Sequence, residues 1–389
     1  MNDRDVAPDA SLLRAIFPED SLARISIILQ NWDKCVFKAE FSNGQAPCVV
    51  RLETQKEGSA SMQTVAAMQR LASTQIPNLI PDILATGAAT NDKGRSFQFC
   101  VVQYVEGQTL EEVWEEMSEA DQRHIVTSLA DAIKRLQSVR LSDDTVRARL
   151  CGVGLPPEAL LGGPWTGFLA DGPALLEFLT RMQQREAKQP PYEVEPCADP
   201  KGTRLRSRFE DLGSITVEDH DMAQWSGESV LCHNDLTPRN LIVRPSSKTG
   251  EEGGPRYQLA AIIDWEVAGF YPASYQLSLQ DTYLSSANRH ISLYLLLKQH
   301  LKELVPRSPS QIALLHAMEF VYESRQKRMA ERGNIPALIR QKFRKELRLA
   351  RDEDPYTGWI CDTREGPAPR LSASDIEKIE TDVIKAVTG

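Results

Sequence analysis

One segment in the second half of the chain restricts the possible folds more than any other. Residues 230–232 are apolar and predict the end of a strand, so the polar residues from 233 to 239 form a loop at that end. Residues 241–243 and 257–263 predict two further strands, and the stretch between them is rich in Gly and Pro. Because a hairpin brings its open ends together, Asn240 and Asp264, which flank it, are expected to approach each other.

The polar residues of this segment suit phosphoryl transfer. Asp235 can accept the proton of an attacking hydroxyl, while Asn240 and Asp264 offer hard oxygen ligands to Mg²⁺. A lone Asp or Asn in a loop is usually a turn or cap residue, but His, Asp, Asn and a second Asp in this order, separated by strands, favour a catalytic site. His233 is expected to orient the loop through backbone hydrogen bonds; metal binding by His233 with Asp235 is the alternative.

The pattern His-x-Asp-x-x-x-x-Asn, which ends at Asn240, and the Ile-Asp-Trp-Glu of residues 263–266 resemble the aminoglycoside phosphotransferase and choline kinase-like family, and within it the fungal-type small-molecule kinases. The resemblance implies an α+β, bilobal protein kinase-like fold with a small antiparallel β N-lobe and a larger, mainly helical C-lobe. It also implies ATP-dependent phosphorylation of a small-molecule hydroxyl, with Asp235 as catalytic base and Mg²⁺ held by Asn240 and Asp264.

These assignments predict the domain boundaries. Residues 1–20 form an N-terminal extension, residues 21–105 the nucleotide-binding N-lobe, and residues 106–389 the C-lobe, with an insertion at about 141–229. The insertion is either a substrate-recognition feature or partly disordered, and its polar composition favours disorder around residues 190–207. For the acidic cluster at 218–221, a solvated loop is favoured over a site for a cationic substrate.

The N-lobe prediction begins with a three-stranded antiparallel meander over residues 25–52. By the resemblance, backbone amides of the first turn, from Asn31 to Lys34, would cover the ATP phosphates, although the turn is not rich in glycine. The third strand carries Arg51 where the family usually has Lys. The resemblance implies that Arg51 binds phosphate; the alternative is a surface arginine paired with Glu53, two residues along the same strand face.

The helix after this strand is a second departure from the family. Its apolar residues recur at helical spacing, but Gln63 or Thr64 stands where a glutamate usually faces the cation. Glu53 and Glu57 are the alternative partners for Arg51.

Two predicted strands, at residues 83–89 and 97–102, lead into Gln103, Tyr104 and Val105. By the resemblance, the backbone of these three residues would hydrogen-bond adenine between the lobes. Gly107 would then let the chain turn into the next helix.

The C-terminal part of the chain predicts helices around residues 291–297, 312–322, 335–349 and 372–387. In the family, helices of this region wall the substrate pocket. The resemblance therefore makes Tyr271, Tyr275, Asp281 and Tyr283 candidates for contacts with the acceptor, although each on its own is better explained as a structural residue.

Composition excludes several classes. With 54 acidic and 45 basic residues among 389, the net charge of −9 argues against a nucleic-acid partner. No apolar run approaches the ~20 residues of a membrane helix. The N-terminus lacks a signal-peptide pattern, so a cytoplasmic protein without a membrane partner is expected. The seven Cys are scattered, without a Cys-x-x-Cys pair, which argues against disulfide and zinc frameworks.

Three functions of different classes fit these observations. A small-molecule hydroxyl kinase that uses ATP and Mg²⁺ is favoured by the complete Asp235, Asn240 and Asp264 set. A nucleotide-binding pseudokinase or scaffold is favoured by Arg51 and by the missing helix glutamate. A protein kinase is disfavoured because the Asp-Phe-Gly and Ala-Pro-Glu signatures are absent. The acceptor, the choice between ATP and GTP, and the oligomeric state stay open.

Overall fold

A five-stranded antiparallel sheet organises the N-terminal part of the chain in the computed structural model, which describes residues 6–18, 22–54, 61–184, 190–246, 256–279, 290–364, 366–367, 369 and 371–388. Its strands are β1 (Leu22–Gln30), β2 (Lys34–Phe41), β3 (Cys48–Thr54), β4 (Ile83–Thr90) and β5 (Ser96–Gln103), in the order β1-β2-β3-β5-β4. The predicted meander and the strand pair that follows it are therefore confirmed.

Alternation of apolar and polar residues along β2 and β3 gives this sheet one buried face. Helix α1 (Ala10–Ile16) packs on that face, so residues 6–18, expected as an extension, contribute to the core of the sheet. The other face of the two strands carries Lys34, Arg51 and Glu53. The buried face includes Cys35, Phe37, Val50 and Leu52.

The remaining chain is mainly helical. Its helices after α1 are α2 (Met62–Gln75), α3 (Leu110–Val113), α4 (Glu119–Leu136), α5 (Asp144–Cys151), α6 (Gly172–Gln184), α7 (Asp219–Trp225), α8 (Ala273–Leu279), α9 (Ile291–Leu301), α10 (Pro309–Glu331), α11 (Ile335–Glu346) and α12 (Ala373–Thr388). Ser118 caps α4, because its hydroxyl accepts a hydrogen bond from the Asp121 amide. An antiparallel N-terminal sheet followed by a helical region confirms the expected fold class.

Short strands link these helices. They are β6 (Gln108–Thr109), β7 (Leu161–Gly163), β8 (Gly167–Leu169), β9 (Tyr192–Ala198), β10 (Lys201–Ser207), β11 (Ser214–Glu218), β12 (Ser229–Cys232), β13 (Leu241–Pro245), β14 (Tyr257–Ile262), β15 (Gly269–Pro272), β16 (Leu349–Arg351) and β17 (Trp359–Cys361). The hairpin predicted between Asn240 and Asp264 is present, since β13 pairs antiparallel with β14 and Leu241 lies opposite Ile262.

The expectation of disorder around residues 190–207 was wrong. Strands β9 and β10 form an antiparallel sheet with β11 there. Most residues of these strands are exposed or half-buried, so the segment has a polar sequence although Tyr192 and Leu205 are fully buried. The acidic cluster is likewise not a loop, because Asp219 and Asp221 form the first turn of α7, where carboxylates are favoured.

Two features hold neighbouring strands close together at their ends: the pairing of β12 with β15, and the glycine that precedes β6. A four-stranded sheet has the order β12-β15-β7-β8, with Cys232 opposite Gly269. The chain enters β6 through Gly107, whose φ of +153° and close approach to β13 require glycine: a Cβ atom there would lie 2.4 Å from the Val243 oxygen. Within the described residues, no helix has the length and apolar character needed to cross a membrane.

Candidate active site

The loop that follows β12 is built around His233, which is fully buried. Its Nε2 lies 3.0 Å from the Ile263 carbonyl oxygen, and the Asp235 amide donates to Nδ1 at 3.2 Å. Burial lowers the pKa of His233 to about 4, so the ring is neutral and Nε2–H is the donor to Ile263. These contacts confirm the backbone hydrogen bonds expected of His233.

Asn240 contacts Asp235 twice. Its Nδ2 donates to the Asp235 carbonyl oxygen at 2.9 Å and to the carboxylate Oδ2 at 2.8 Å. Because both bonds use the nitrogen, the amide orientation is fixed and Oδ1 is left for another ligand. The Asn240 carbonyl oxygen accepts from the Ile263 amide at 2.9 Å, which places Asn240 beside the residue preceding Asp264, as the hairpin predicted.

Asp264 adopts a backbone conformation that is rare for residues other than glycine, with φ at +62°. Asn234, in the loop after β12, does the same with φ at +68°. Such conformations cluster at functional sites, where the surrounding structure holds them. The oxygens of Asn240 and Asp264 suit Mg²⁺, which is usually bound through one or two protein oxygens together with phosphate oxygens and water. The residues present therefore fit this metal.

The carboxylate of Asp235 has an unusual affinity for protons. Burial raises its pKa to about 6, with a further contribution from Asp264, while the hydrogen bond from Asn240 acts in the opposite direction. A carboxylate with a pKa near 6 is a stronger base than an ordinary aspartate and is still ionised at neutral pH. Asp235 therefore has the protonation behaviour required of a general base.

Arg51 reaches across from the sheet to the residues after β14. Its Nη1 donates to Asp264 Oδ1 at 2.7 Å, its Nε donates to Glu53 Oε1 at 2.7 Å, and its Nη2 contacts both Glu53 and Glu266. Burial would lower the pKa of Arg51, but the carboxylates Asp264, Glu266 and Glu53 outweigh burial and raise it. Arg51 thus pairs with Glu53, as one of the two readings expected, and it also pairs with Asp264; phosphate binding by Arg51 stays a prediction.

Lys34 completes this cluster. Its Nζ lies 3.2 Å from Glu266 Oε2 and 3.6 Å from Glu53 Oε1. Each of the two cations therefore contacts each of the two glutamates, and we call Lys34, Arg51, Glu53 and Glu266 the ion-pair ring. Burial would raise the pKa of Glu266, but Arg51 and Lys34 together hold it below its ordinary value.

In the turn between β1 and β2, the backbone amides of Asn31, Asp33 and Lys34 already have hydrogen-bond partners within the turn. Asn31 Oδ1 accepts from the amides of Asp33 and Lys34 at 3.0 and 2.8 Å, and the Asn31 amide donates to the Lys34 carbonyl oxygen. An Asn side chain that closes a turn in this way occupies the donors that a phosphate would need. Phosphate binding by these amides stays a prediction, and it requires the turn to rearrange.

The predicted hinge is only partly open to a ligand. The Gln103 amide donates to the Asp82 carbonyl oxygen and the Tyr104 amide to that of Pro47, so both are used within the sheet. Lys38 Nζ lies 4.4 Å from the centre of the Tyr104 ring. Among the described residues the Val105 backbone has no hydrogen-bond partner. Of the three residues, Val105 alone thus keeps its backbone amide without a described partner, and adenine binding stays a prediction.

Two of the tyrosines named as candidates for contacts with the acceptor lie in the core. Tyr271 and Tyr275 stack with their ring centres 4.1 Å apart, and Tyr271 hydrogen-bonds Thr166 at 2.8 Å. Both are buried, which agrees with the structural role that was favoured for each of them from the sequence. The other two candidates, Asp281 and Tyr283, lie outside the described residues.

The hairpin of β7 and β8 brings a different aromatic residue to this region. Gly163 packs so closely on Ala268 and Gly269 that a Cβ atom would lie 2.4 Å from the Ala268 oxygen. The hairpin tip therefore lies at the end of the sheet from which the loop containing Asp235 departs. Trp165, at this tip, is 54% exposed.

Sequence reasoning missed the side chains of Lys34 and Trp165. A signal for Lys34 was present, because the turn at Asn43 and Gly44 sets the register of β2 and β3 and places Lys34 directly opposite Glu53. No comparable signal exists for Trp165, whose position depends on the pairing of Phe270 with Gly162 across a long insertion.

Comparison with known proteins assigns the chain to a family. The phosphotransferase enzyme family (APH) matches residues 25–280, more than half of the chain. Solved structures similar to the chain include the GDP complex of wild-type aminoglycoside 2'-phosphotransferase-IIIa (12% identity, TM-score 0.43, covering 96% of this chain and 97% of that one). They also include the Plasmodium vivax ethanolamine kinase (12% identity, TM-score 0.42, covering 96% and 84%).

A third similar structure is spectinomycin phosphotransferase in complex with ADP and spectinomycin (11% identity, TM-score 0.35, covering 96% and 97%). The comparison with curated proteins gave no match. Family membership rests on the family match, which confirms the resemblance read from the sequence and the prediction of a small-molecule kinase. The chain belongs to the phosphotransferase enzyme family.

Proposed function

We propose that the protein transfers the γ-phosphate of Mg·ATP to a hydroxyl group of a small molecule, with Asp235 as the catalytic base and with Asn240 and Asp264 as the metal ligands. Residues 21–105 would form the lobe above the nucleotide and residues 106–389 the lobe that carries the base and the acceptor. Family membership alone does not assign these roles to particular residues.

The contact between Asn240 and Asp235 carries this proposal. A single amide holds the carboxylate of the proposed base at 2.8 Å through its nitrogen and keeps its oxygen for the metal. The base and the metal ligand are thereby positioned relative to each other before any ligand binds, which is the main protein contribution in phosphoryl transfer.

In the proposed reaction the acceptor oxygen attacks the γ-phosphorus while its proton passes to the Asp235 carboxylate. The new bond joins that oxygen to phosphorus, and the bond between the γ-phosphorus and the bridging oxygen breaks, so that ADP leaves with the electron pair. Neutralisation of charge on the phosphate oxygens is the chemistry that bound Mg²⁺ supplies. Arg51 would contact the phosphates, and the Val105 backbone would hydrogen-bond adenine.

The acceptor would enter at the end of the four-stranded sheet where Trp165 is exposed. A hydroxyl must come within about 3 Å of Asp235 to transfer its proton, so the acceptor lies between this carboxylate and the phosphate. An exposed indole at the same end offers an apolar face to the rest of the molecule.

A nucleotide-binding scaffold is the second candidate. The observation that favours it is the ion pair between Arg51 and Asp264, which occupies one oxygen of the proposed metal ligand. In a scaffold this pair would persist in the presence of Mg·ATP, whereas in a kinase it would give way to the metal.

Release of ADP from ATP separates the candidates. We expect turnover with at least one member of a panel of amino alcohols, aminoglycosides and polyols, and a decrease of roughly 10²–10⁴-fold in Asp235→Ala. Retained Mg·ATP binding without turnover for any acceptor would favour the scaffold. Phosphate transfer to protein substrates would instead favour a protein kinase.

A further inference from the structure

We propose that the ion-pair ring replaces the usual lysine and helix glutamate, so that Lys34 and Arg51 act as a pair of phosphate-binding cations held in position by Glu53 and Glu266. This inference rests on the proposed function, because it assigns the phosphate-contacting residues of the same site. It concerns side chains to which neither the family match nor the structural similarities assign a role.

Helix α2 cannot supply the orienting carboxylate. Its sequence contains no Asp or Glu, and Thr64, one of the two residues at the expected place, is buried. Gln63, the other, is exposed and neutral. A cation that faces phosphates needs a fixed partner, because a long side chain otherwise loses conformational entropy when it binds. The partner must therefore come from another element.

The sheet supplies half of the ring. Lys34 lies directly opposite Glu53 in the register of β2 and β3, and Arg51 lies two residues from Glu53 on the same face. The opposite face is core, where Cys35 and Leu52 are fully buried. The strands can therefore present the two cations only towards the residues that follow β14.

Glu266 closes the ring from the other side. It follows Asp264 by two residues and contacts both cations, so each of the four charged groups has two neighbours of opposite sign. The ring is electrically neutral and remains closed without Asp264. Mg²⁺ can therefore take Asp264 while Glu53 and Glu266 still hold Arg51.

This arrangement explains why arginine occupies the position. A guanidinium group has five N–H donors in a planar fork, whereas an ammonium group has three on one atom. Arg51 uses Nε and Nη2 for the glutamates and Nη1 for Asp264. Once the metal binds Asp264, Nη1 is the donor released for a phosphate oxygen, and Lys34 adds a second cation beside it.

Titration with Mg·ADP tests the inference, with adenosine as the matched ligand that lacks phosphates. We expect Lys34→Met and Glu266→Gln each to raise the Kd of Mg·ADP by about tenfold and to leave the Kd of adenosine unchanged. Lys34→Arg should restore affinity. Gln63→Ala, at the usual position of the helix partner, should bind Mg·ADP as the wild type does.

Because Lys34 and Glu266 act through the same ring, the double variant should lose less affinity than the two single losses combined. Unchanged Mg·ADP binding in both single variants would overturn the inference, as would an equal loss for adenosine or a loss in Gln63→Ala. A wild-type protein that binds Mg·ADP but phosphorylates nothing would overturn the proposed function, and the same titration would still decide the inference. Absence of nucleotide binding by the wild type would overturn both.

Discussion

Replacing Asp235 by Asn should stabilise the metal-free protein. The pKa of Asp235 lies at about 6, above the ordinary value of 3.8, mainly because burial disfavours the ionised form. The folded state thus binds the proton more tightly than the unfolded state, so ionisation of Asp235 costs stability as the pH rises from 3.8 through 6. The neutral amide introduced by Asp235→Asn would avoid that cost and could still accept the hydrogen bond from Asn240.

The two pKa values set the size of the effect. The free energy of unfolding should increase by about 3 kcal/mol at pH 8 and by about 1.5 kcal/mol at pH 5, where most of the carboxylate is already protonated in the folded state. Asp235 is mostly buried, so solvent screening leaves most of this difference in place. The gain should come with loss of phosphoryl transfer, which is the behaviour expected where function is built at a cost in stability.

Urea unfolding in EDTA at both pH values measures this difference. EDTA keeps divalent cations from changing the proton affinity of Asp235. Asp131→Asn, on the exposed face of α4, removes the same charge without altering a buried group and should change stability by less than about 0.5 kcal/mol at either pH. A raised pKa of Asp235 in the folded state would be contradicted if Asp235→Asn were no more stable than the wild type, or if its gain in stability were the same at pH 8 and pH 5.

Three further substitutions test other parts of the structure. Trp165→Ala should raise the KM for the acceptor about tenfold while the KM for ATP stays constant, and equal changes in both would place Trp165 outside the acceptor region. His233→Ala leaves the Ile263 carbonyl without its buried donor, so the free energy of unfolding should decrease by about 2 kcal/mol. A urea midpoint equal to that of the wild type would contradict this. Arg340 is 1% exposed and pairs with Glu323 at 2.6 Å. Arg340→Met should therefore destabilise the protein by about 3 kcal/mol in the same assay, whereas substitution of a surface arginine should not.

Much of the fold followed from local patterns. Strands β2 and β3 alternate apolar and polar residues around a turn at Asn43 and Gly44, and the hairpin of β13 and β14 is bounded by polar ends, so both could be placed from sequence. The sheet of β9 to β11 could not, because few of its residues, among them Tyr192, Leu205 and Val217, are buried, and buried residues do not alternate with exposed ones along the strands.

The proposed base and metal ligands could be placed for a similar reason: Asn240 and Asp264 flank a hairpin, which must bring them together, and Asp235 lies in the loop that precedes it. Of the contacts that Arg51 makes, only the one with Glu53, its neighbour on β3, could be predicted from the sequence. Contacts with Glu266 depend on how the sheet sits over the residues after β14, and no local pattern encodes that packing. The same limit applies to Tyr271, whose hydroxyl proved to be used by Thr166 in the core.

Asp235 is proposed to accept the proton of a small-molecule hydroxyl during transfer of the γ-phosphate. The ³¹P NMR spectrum of a reaction with ATP, Mg²⁺ and an active acceptor tests it most directly. We expect a new phosphomonoester resonance that grows in step with ADP, and its loss in Asp235→Asn although this variant still binds Mg·ATP. Inorganic phosphate as the only new product, or phosphomonoester formed by Asp235→Asn at the wild-type rate, would contradict the account.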